Sequence, residues 1–181
     1  GCIRYKQYVR GLIYLLTQIG FFCFLKNFAL QYLSKFFTLG TETQRKVWNE
    51  DLQIYQRFPG DNSMLILLYS VLSLAGIAVF LYIWYANIRD SWHAQENLRE
   101  GRKIASFRDD LHSLTNERFH ITLLSMPMLT LVLFTLLPII FMILIAFTNF
   151  DADHQPPGNL FTWVGMTNVT DIFLGNEIKT N

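Results

Sequence analysis

Charge is what this sequence lacks most, and it is missing in blocks. No Asp, Glu, Lys or Arg occurs between Asp61 and Arg89, and none between Arg118 and Asp151. Only 16% of the 181 residues are charged while 51% are apolar, against about 25% charged in an ordinary soluble domain. Each charge-free block exceeds the roughly 20 residues that a helix needs to cross a hydrocarbon core about 30 Å thick. Cysteine is nearly absent too: Cys2 and Cys23 give no disulfide framework, and Cys23 inside an apolar run reads as a packing residue. A net charge of +1 with no dense basic face argues against a nucleic-acid partner.

Catalytic and ligand-binding signatures are equally scarce. No Gly-rich loop ending in Lys-Ser/Thr is present, so nothing here would cradle the phosphates of ATP. His93, His112, His120 and His154 stand far apart, and no two share a helical turn with a carboxylate as a metalloprotease pair would. The two long apolar blocks hold no acid or base that could relay a proton. The expectation is a protein that is not an enzyme, with no catalytic residues, no metal site and no cofactor.

What is present is a membrane pattern. A third apolar stretch, residues 11–25, lies between Arg10 and Lys26, and no small-x-small cleavage site follows it, so it reads as an uncleaved span. Lys26 can extend its ammonium to the interface and avoid most of the roughly 3 kcal/mol that a lysine costs at the bilayer centre. The predicted fold class is an all-α membrane protein with three transmembrane helices, at about 9–29, 63–88 and 119–147. Lys and Arg number three before the first span, five from Lys26 to Arg57, six from Arg89 to Arg118, and one, Lys179, after the last. The positive-inside rule then puts the N-terminus and loop 89–118 in the cytoplasm, and loop 30–62 and the C-terminal tail, with Asp151, Asp153, Asp171 and Glu177, outside.

The connectors carry weaker patterns. The stretch Arg4 to Arg10 is basic and aromatic, fit to anchor in headgroups. Ala29, Leu33 and Phe37 extend the first helix as an amphipathic piece that Gly40 ends. Val47-Trp48 and Leu52-Gln53-Ile54-Tyr55 predict a small external hairpin closed by Pro59-Gly60-Asp61-Asn62, either a docking surface or a solvated connector. Ser70, Ser73 and Gly76 form a small-residue stripe that lets another helix approach, and Tyr82, Trp84 and Tyr85 form an aromatic belt. Phe107, Leu111 and Leu114 predict an amphipathic helix in loop 89–118. Pro127 and Pro138 should kink the third span. His154 beside Asp153 reads as solvated, Asn168-Val169-Thr170 matches a glycosylation acceptor, and the segment from Phe161 to Asn168 as an amphipathic piece at the outer interface.

The block Pro127-Met128-Leu129 through Leu137-Pro138-Ile139-Ile140-Phe141, then Ile145-Ala146-Phe147-Thr148-Asn149-Phe150, resembles the opening helix of sugar permeases in binding-protein-dependent ABC importers. A later Trp163-Val164-Gly165-Met166-Thr167-Asn168 is similar to that family's Phe-Val-Gly-Leu-x-Asn-Tyr segment, and the string from His154 to Gly165 resembles its maltose and maltodextrin branch. Gly60-Asp61-Asn62-Ser63-Met64 and the loop from Ala105 to Leu111 are similar to the same branch. The resemblance implies a two-span extension (1–118), then the first permease-domain helix with its exit segment (119–181). It also implies a second permease subunit, a cytoplasmic ATPase dimer and an external sugar-binding protein as partners, with membrane lipid around them in a bacterial cytoplasmic membrane. The chain begins at Gly1-Cys2 without Met, ends at Asn181 and lacks the family's Glu-Ala-Ala loop, so it is expected to be a fragment that does not transport alone. The alternative is a small three-span accessory or scaffold subunit that uses the Ser70, Ser73, Gly76 face.

Overall fold

The computed structural model describes residues 8–101 and 107–175. Cys2, the basic stretch up to Gln7, Ser106 and the tail residues Glu177 and Lys179 lie outside the described residues. The order is α1 (Tyr8–Phe24), a π-helical turn (Leu25–Ala29), α2 (Leu30–Leu33), β1 (Arg45–Asn49), β2 (Ile54–Phe58), α3 (Ser63–Arg99), α4 (Phe107–Thr115), α5 (Phe119–Leu131), a second π-helical turn (Val132–Leu136), α6 (Leu137–Ile145) and α7 (Thr167–Leu174). Three continuous helical stretches are long and apolar enough to span a membrane: Tyr8–Leu33, Ser63–Arg99 and Phe119–Ile145. At 1.5 Å per residue, 26, 37 and 27 residues give about 39, 55 and 40 Å. The mostly helical, three-span expectation therefore holds, with one small antiparallel sheet added among the described residues.

The boundaries differ from the sequence reading in informative ways. The second helix does not stop where its charges begin but runs eleven residues further, from Arg89 to Arg99. Neither glycine nor proline interrupts that stretch, and charged residues are good helix formers outside lipid, so the helix continues until Gly101. The first span is likewise longer than 9–29, reaching Leu33. Beyond it residues 34–39 turn instead of forming a further amphipathic helix, ending on a buried Leu39 with φ 55° just before Gly40. The hairpin strands are 45–49 and 54–58, because the Asn49 side chain takes the amides of Asp51 (3.0 Å) and Leu52 (3.2 Å) and so pulls Leu52 and Gln53 into the turn.

One compact unit comprises residues 1–27 and 74–135. Within it Phe21 stacks on Phe80 with centroids 3.6 Å apart, Tyr14 donates to Asp90 Oδ2 at 3.4 Å, and Gly76 faces the Phe24 ring. Thr122 Oγ1 donates to the Leu114 carbonyl at 2.9 Å, tying α5 to α4. Leu111 and Leu114 of α4 are exposed. Pro127 sits inside α5, and no residue of Phe119–Ile145 is fully buried among the described residues. Such a surface is at home against lipid or other helices, since apolar area in water has an unfavourable free energy of about 25 cal/mol per Å².

The other compact unit comprises residues 28–73 and 136–181. Its core is Leu39, Ile66, Leu67 and Phe161, packed against Tyr32, Phe36, Phe141, Leu144 and Trp163. Ser70 and Ser73 are fully buried there, and Ser70 Oγ donates to the Tyr32 carbonyl at 3.0 Å. Pro138 falls early in α6, directly after the π turn. A widened turn is where a residue without an N–H is accommodated without leaving a carbonyl stranded in lipid.

The small-residue stripe is thus occupied by this chain's own first span: Ser70 by Tyr32 in one unit, Gly76 by Phe24 in the other. A Cβ at Gly76 would lie 3.1 Å from the Phe24 ring. Gly76→Leu is expected to lower unfolding free energy by about 1–3 kcal/mol through overpacking, measured by thermal unfolding in detergent. Equal stability with loss of a copurifying protein would instead mark the stripe as an intermolecular face.

Candidate functional site

The last carbonyls of a helix have no partner within it, and the third span exposes this problem where it leaves the membrane. Phe147 and Thr148 donate their amides to Leu144 and Ile145 carbonyls at 3.1 and 2.9 Å, and Thr148 Oγ1 adds a second bond to Ile145 at 2.7 Å. The carbonyls of Ala146, Phe147 and Thr148 then need donors from elsewhere, and the exit segment folds back to supply them.

Val164 N and Gly165 N both donate to the Phe147 carbonyl, at 2.9 and 3.1 Å. The Asn168 side-chain amide donates to Ala146 (2.9 Å) and Thr148 (2.8 Å). Asn149 completes the return: its amide donates to the Thr162 carbonyl at 3.1 Å while its Oδ1 accepts from Thr162 N at 2.6 Å. Thr148 and Trp163 form an isolated antiparallel bridge. The Trp163 indole N–H donates to the Phe36 carbonyl at 2.9 Å, its ring meets Phe36 edge-on, and Phe150 meets the buried Phe161 in the same way.

Of the residues singled out from the sequence, Phe147, Thr148, Asn149, Phe150, Trp163, Val164, Gly165 and Asn168 therefore meet in one clasp at the end of the third span. Pro127 and Pro138 lie within the span and take no part in it. The clasp is built of backbone groups, amides and rings, with no acid, base or nucleophile poised for chemistry. Asn168, read as a glycosylation acceptor, spends its amide on two carbonyls. His154 pairs with Asp151 (2.7 Å) and not with Asp153, because Asp151 Oδ1 also collects the amides of Asp153 and His154 in a tight turn. That bonding, led by His154, holds the Asp151 carboxyl below the usual aspartate range. Among the described residues no group of His, Cys, Asp and Glu could hold a metal ion.

A second constellation binds the hairpin base to the start of α3. Burial of Asp61, whose side chain is 12% exposed, would raise its pKa. The Lys35 ammonium and the amides of Thr41 (3.0 Å) and Glu42 (3.3 Å) outweigh that burial and hold the carboxyl below its ordinary value. The neighbouring positions are as constrained. Gly60 has φ +65°, and a Cβ there would sit 2.7 Å from the Glu42 carbonyl. Asn62 Oδ1 accepts from Leu65 N at 3.2 Å as the N-cap of α3, and the buried Ser63 hydroxyl accepts from Phe161 N at 3.3 Å. Sequence reasoning missed Lys35 and the pairing of Ser63 with Phe161. The legible signal was Asp-Asn-Ser directly before an apolar run, a helix N-terminus signature.

No protein-family model and no solved structure matches the chain. Curated relatives do. The chain is similar to the galactooligosaccharides transport system permease protein GanP of Bacillus subtilis (strain 168), 26% identical over 168 residues, covering 93% of this chain and 37% of that protein. It is similar to the maltodextrin transport system permease protein MalC of Streptococcus pneumoniae serotype 4, 29% identical over 174 residues, covering 96% and 37%. It is also similar to the maltodextrin transport system permease protein MdxF of Bacillus subtilis (strain 168), 28% identical over 184 residues, covering 99% and 38%. Its homologues are thus sugar-transport permeases, and the chain corresponds to their N-terminal part, spanning little more than a third of their length. With three apolar helices, it is a multi-pass membrane protein.

Two outcomes test these constellations. Asn168→Ala leaves the Ala146 and Thr148 carbonyls without their donor, and a destabilisation of about 1 kcal/mol is expected, read as faster amide exchange across 161–165 in detergent. A lowered Asp61 pKa contributes stability that is complete above the unfolded value of 3.8 and is lost as pH falls through the lower folded value. Wild type should lose melting temperature in that acid window, whereas Asp61→Asn should start lower at neutral pH and lose less of it there.

Proposed function

We propose that this chain is the N-terminal part of the membrane-spanning permease of an ATP-driven ABC importer for maltodextrin-type oligosaccharides. The observation that carries this reading is the similarity to maltodextrin and galactooligosaccharide permeases over 93–99% of the chain, in a sequence that already shows three spans.

In this reading residues 1–118 are a two-span extension and 119–181 the first helix of the permease domain with its exit segment. The N-terminus and residues 89–118 face the cytoplasm, while the hairpin and the exit clasp face outward, in a bacterial cytoplasmic membrane. Partners are a second permease subunit, a cytoplasmic ATPase dimer and an external sugar-binding protein. The clasp gives the third span a fixed outer end: its carbonyls are tied to Val164, Gly165 and Asn168, and Trp163 ties the segment to residue 36 of the first span's extension. A fixed end lets a helix that carries Pro127 and Pro138 bend within the bilayer without unravelling at the surface.

The test is reconstitution. The complete permease that contains this chain, assembled with its second subunit, ATPase and binding protein in proteoliposomes, should accumulate labelled maltotriose only when ATP is supplied. ATP hydrolysis without uptake of any maltodextrin or galactooligosaccharide would refute the substrate assignment. Single cysteines at Asp51 and Asn159, in a background lacking Cys2 and Cys23, should react with an impermeant reagent from outside, and one at Ser106 only after permeabilisation. External reaction at Ser106 would reverse the orientation.

A further inference from the structure

The β1–β2 hairpin has a face with no partner among the described residues. Strand alternation puts Lys46, Trp48, Tyr55 and Arg57 on one side and Arg45, Val47, Gln56 and Phe58 on the other. On the second side Arg45 lies over the Phe58 ring at 5.2 Å and pairs with Glu42 at 3.7 Å. On the first side Lys46 and Arg57 are directly opposite each other in the register, and Trp48 and Tyr55 are the next pair, with ring centroids 4.9 Å apart. Among the described residues no carboxylate pairs with Lys46 or Arg57. All four side chains are exposed.

Like charges directly across a ladder destabilise it, and an isolated two-stranded hairpin is marginal in water. An anion held between the two cations removes the first cost and, by covering the face, the second. The source of that anion follows from position. The hairpin is inserted between two membrane spans, in the same compact unit as the adjoining ends of both, and its base is fixed to the start of α3 through Asp61 and Gly60. Lys46 and Arg57 lie at the end of the strands nearest the spans, while the acidic Glu50 and Asp51 are confined to the turn at the far end. From the base outward this face carries Lys46 and Arg57, then Trp48 and Tyr55, so a hairpin laid along the membrane surface sets both its cations and its rings in the headgroup layer.

We propose that this hairpin is a lipid-binding device: the face carrying Lys46, Trp48, Tyr55 and Arg57 takes the phosphate of an anionic phospholipid headgroup between its two cations and lays its aromatic rings at headgroup level. The inference rests on the membrane spans and the hairpin register alone, so it is independent of which sugar, if any, is carried.

Amide hydrogen exchange of the strand residues, with the chain in vesicles, reads the contact directly. With roughly a quarter of the lipid as phosphatidylglycerol, exchange should be about tenfold slower than in pure phosphatidylcholine. Lys46→Gln/Arg57→Gln should abolish that difference, yet exchange more slowly than wild type in phosphatidylcholine, because the repulsion is gone. Arg45→Gln, on the opposite face, should keep the lipid dependence. Equal exchange in both vesicles would overturn the proposal. So would equal protection by inorganic phosphate added to phosphatidylcholine vesicles, which would mark a free-anion site, or protection that requires an added protein.

Discussion

The arrangement at the end of the third span depends on one constraint: a backbone carbonyl at the edge of lipid must have a donor. A helix satisfies its own carbonyls except at its end, and in water the remainder are hydrated. At the end of the third span the carbonyls of Ala146, Phe147 and Thr148 are instead met by Val164, Gly165 and Asn168. Individually such bonds are worth about 1 kcal/mol, but leaving buried carbonyls unpaired costs more than that. The chain therefore turns back after residue 150, and the buried Phe161 and Thr148 follow from that return.

The same logic explains why so little of this protein is core in the soluble sense. Among the described residues the most deeply buried side chains cluster around Leu39, Leu67 and Phe161, with Ser63, Ser70, Ser73 and Thr148 beside them. Each of the buried hydroxyls among Ser63, Ser70, Ser73 and Thr148 has a backbone partner. Elsewhere Phe134, Met126 and Met142 stand 65–77% exposed, as expected of helices whose apolar faces are meant for lipid or for further helices. Cohesion between the first and second spans rests on close approach at small residues and on aromatic stacking, since no hydrophobic driving force separates apolar helices from apolar lipid.

The residues whose pattern resembles that of sugar permeases are mostly architectural in this fold. Trp163, Val164, Gly165 and Asn168 hold an exit segment, and Gly60, Asp61, Asn62 and Ser63 hold the hairpin base and cap α3. Their common property is that each ties a loop to the end of an apolar helix.

The sequence alone determined the number of spans and the helical class, because the cost of charge in hydrocarbon depends on composition and run length, not on what packs against what. It also marked the clasp residues as a group by resemblance. It did not determine where the second helix ends, since nothing in residues 89–99 forbids either a helix or a loop. Nor could it show that Asn168 meets Ala146 and Thr148, that Lys35 reaches Asp61, or that Trp48 and Tyr55 share a face with Lys46 and Arg57. Those are pairings between residues distant along the chain, and only the folded arrangement, through backbone geometry and register, decides which donors arrive at which acceptors.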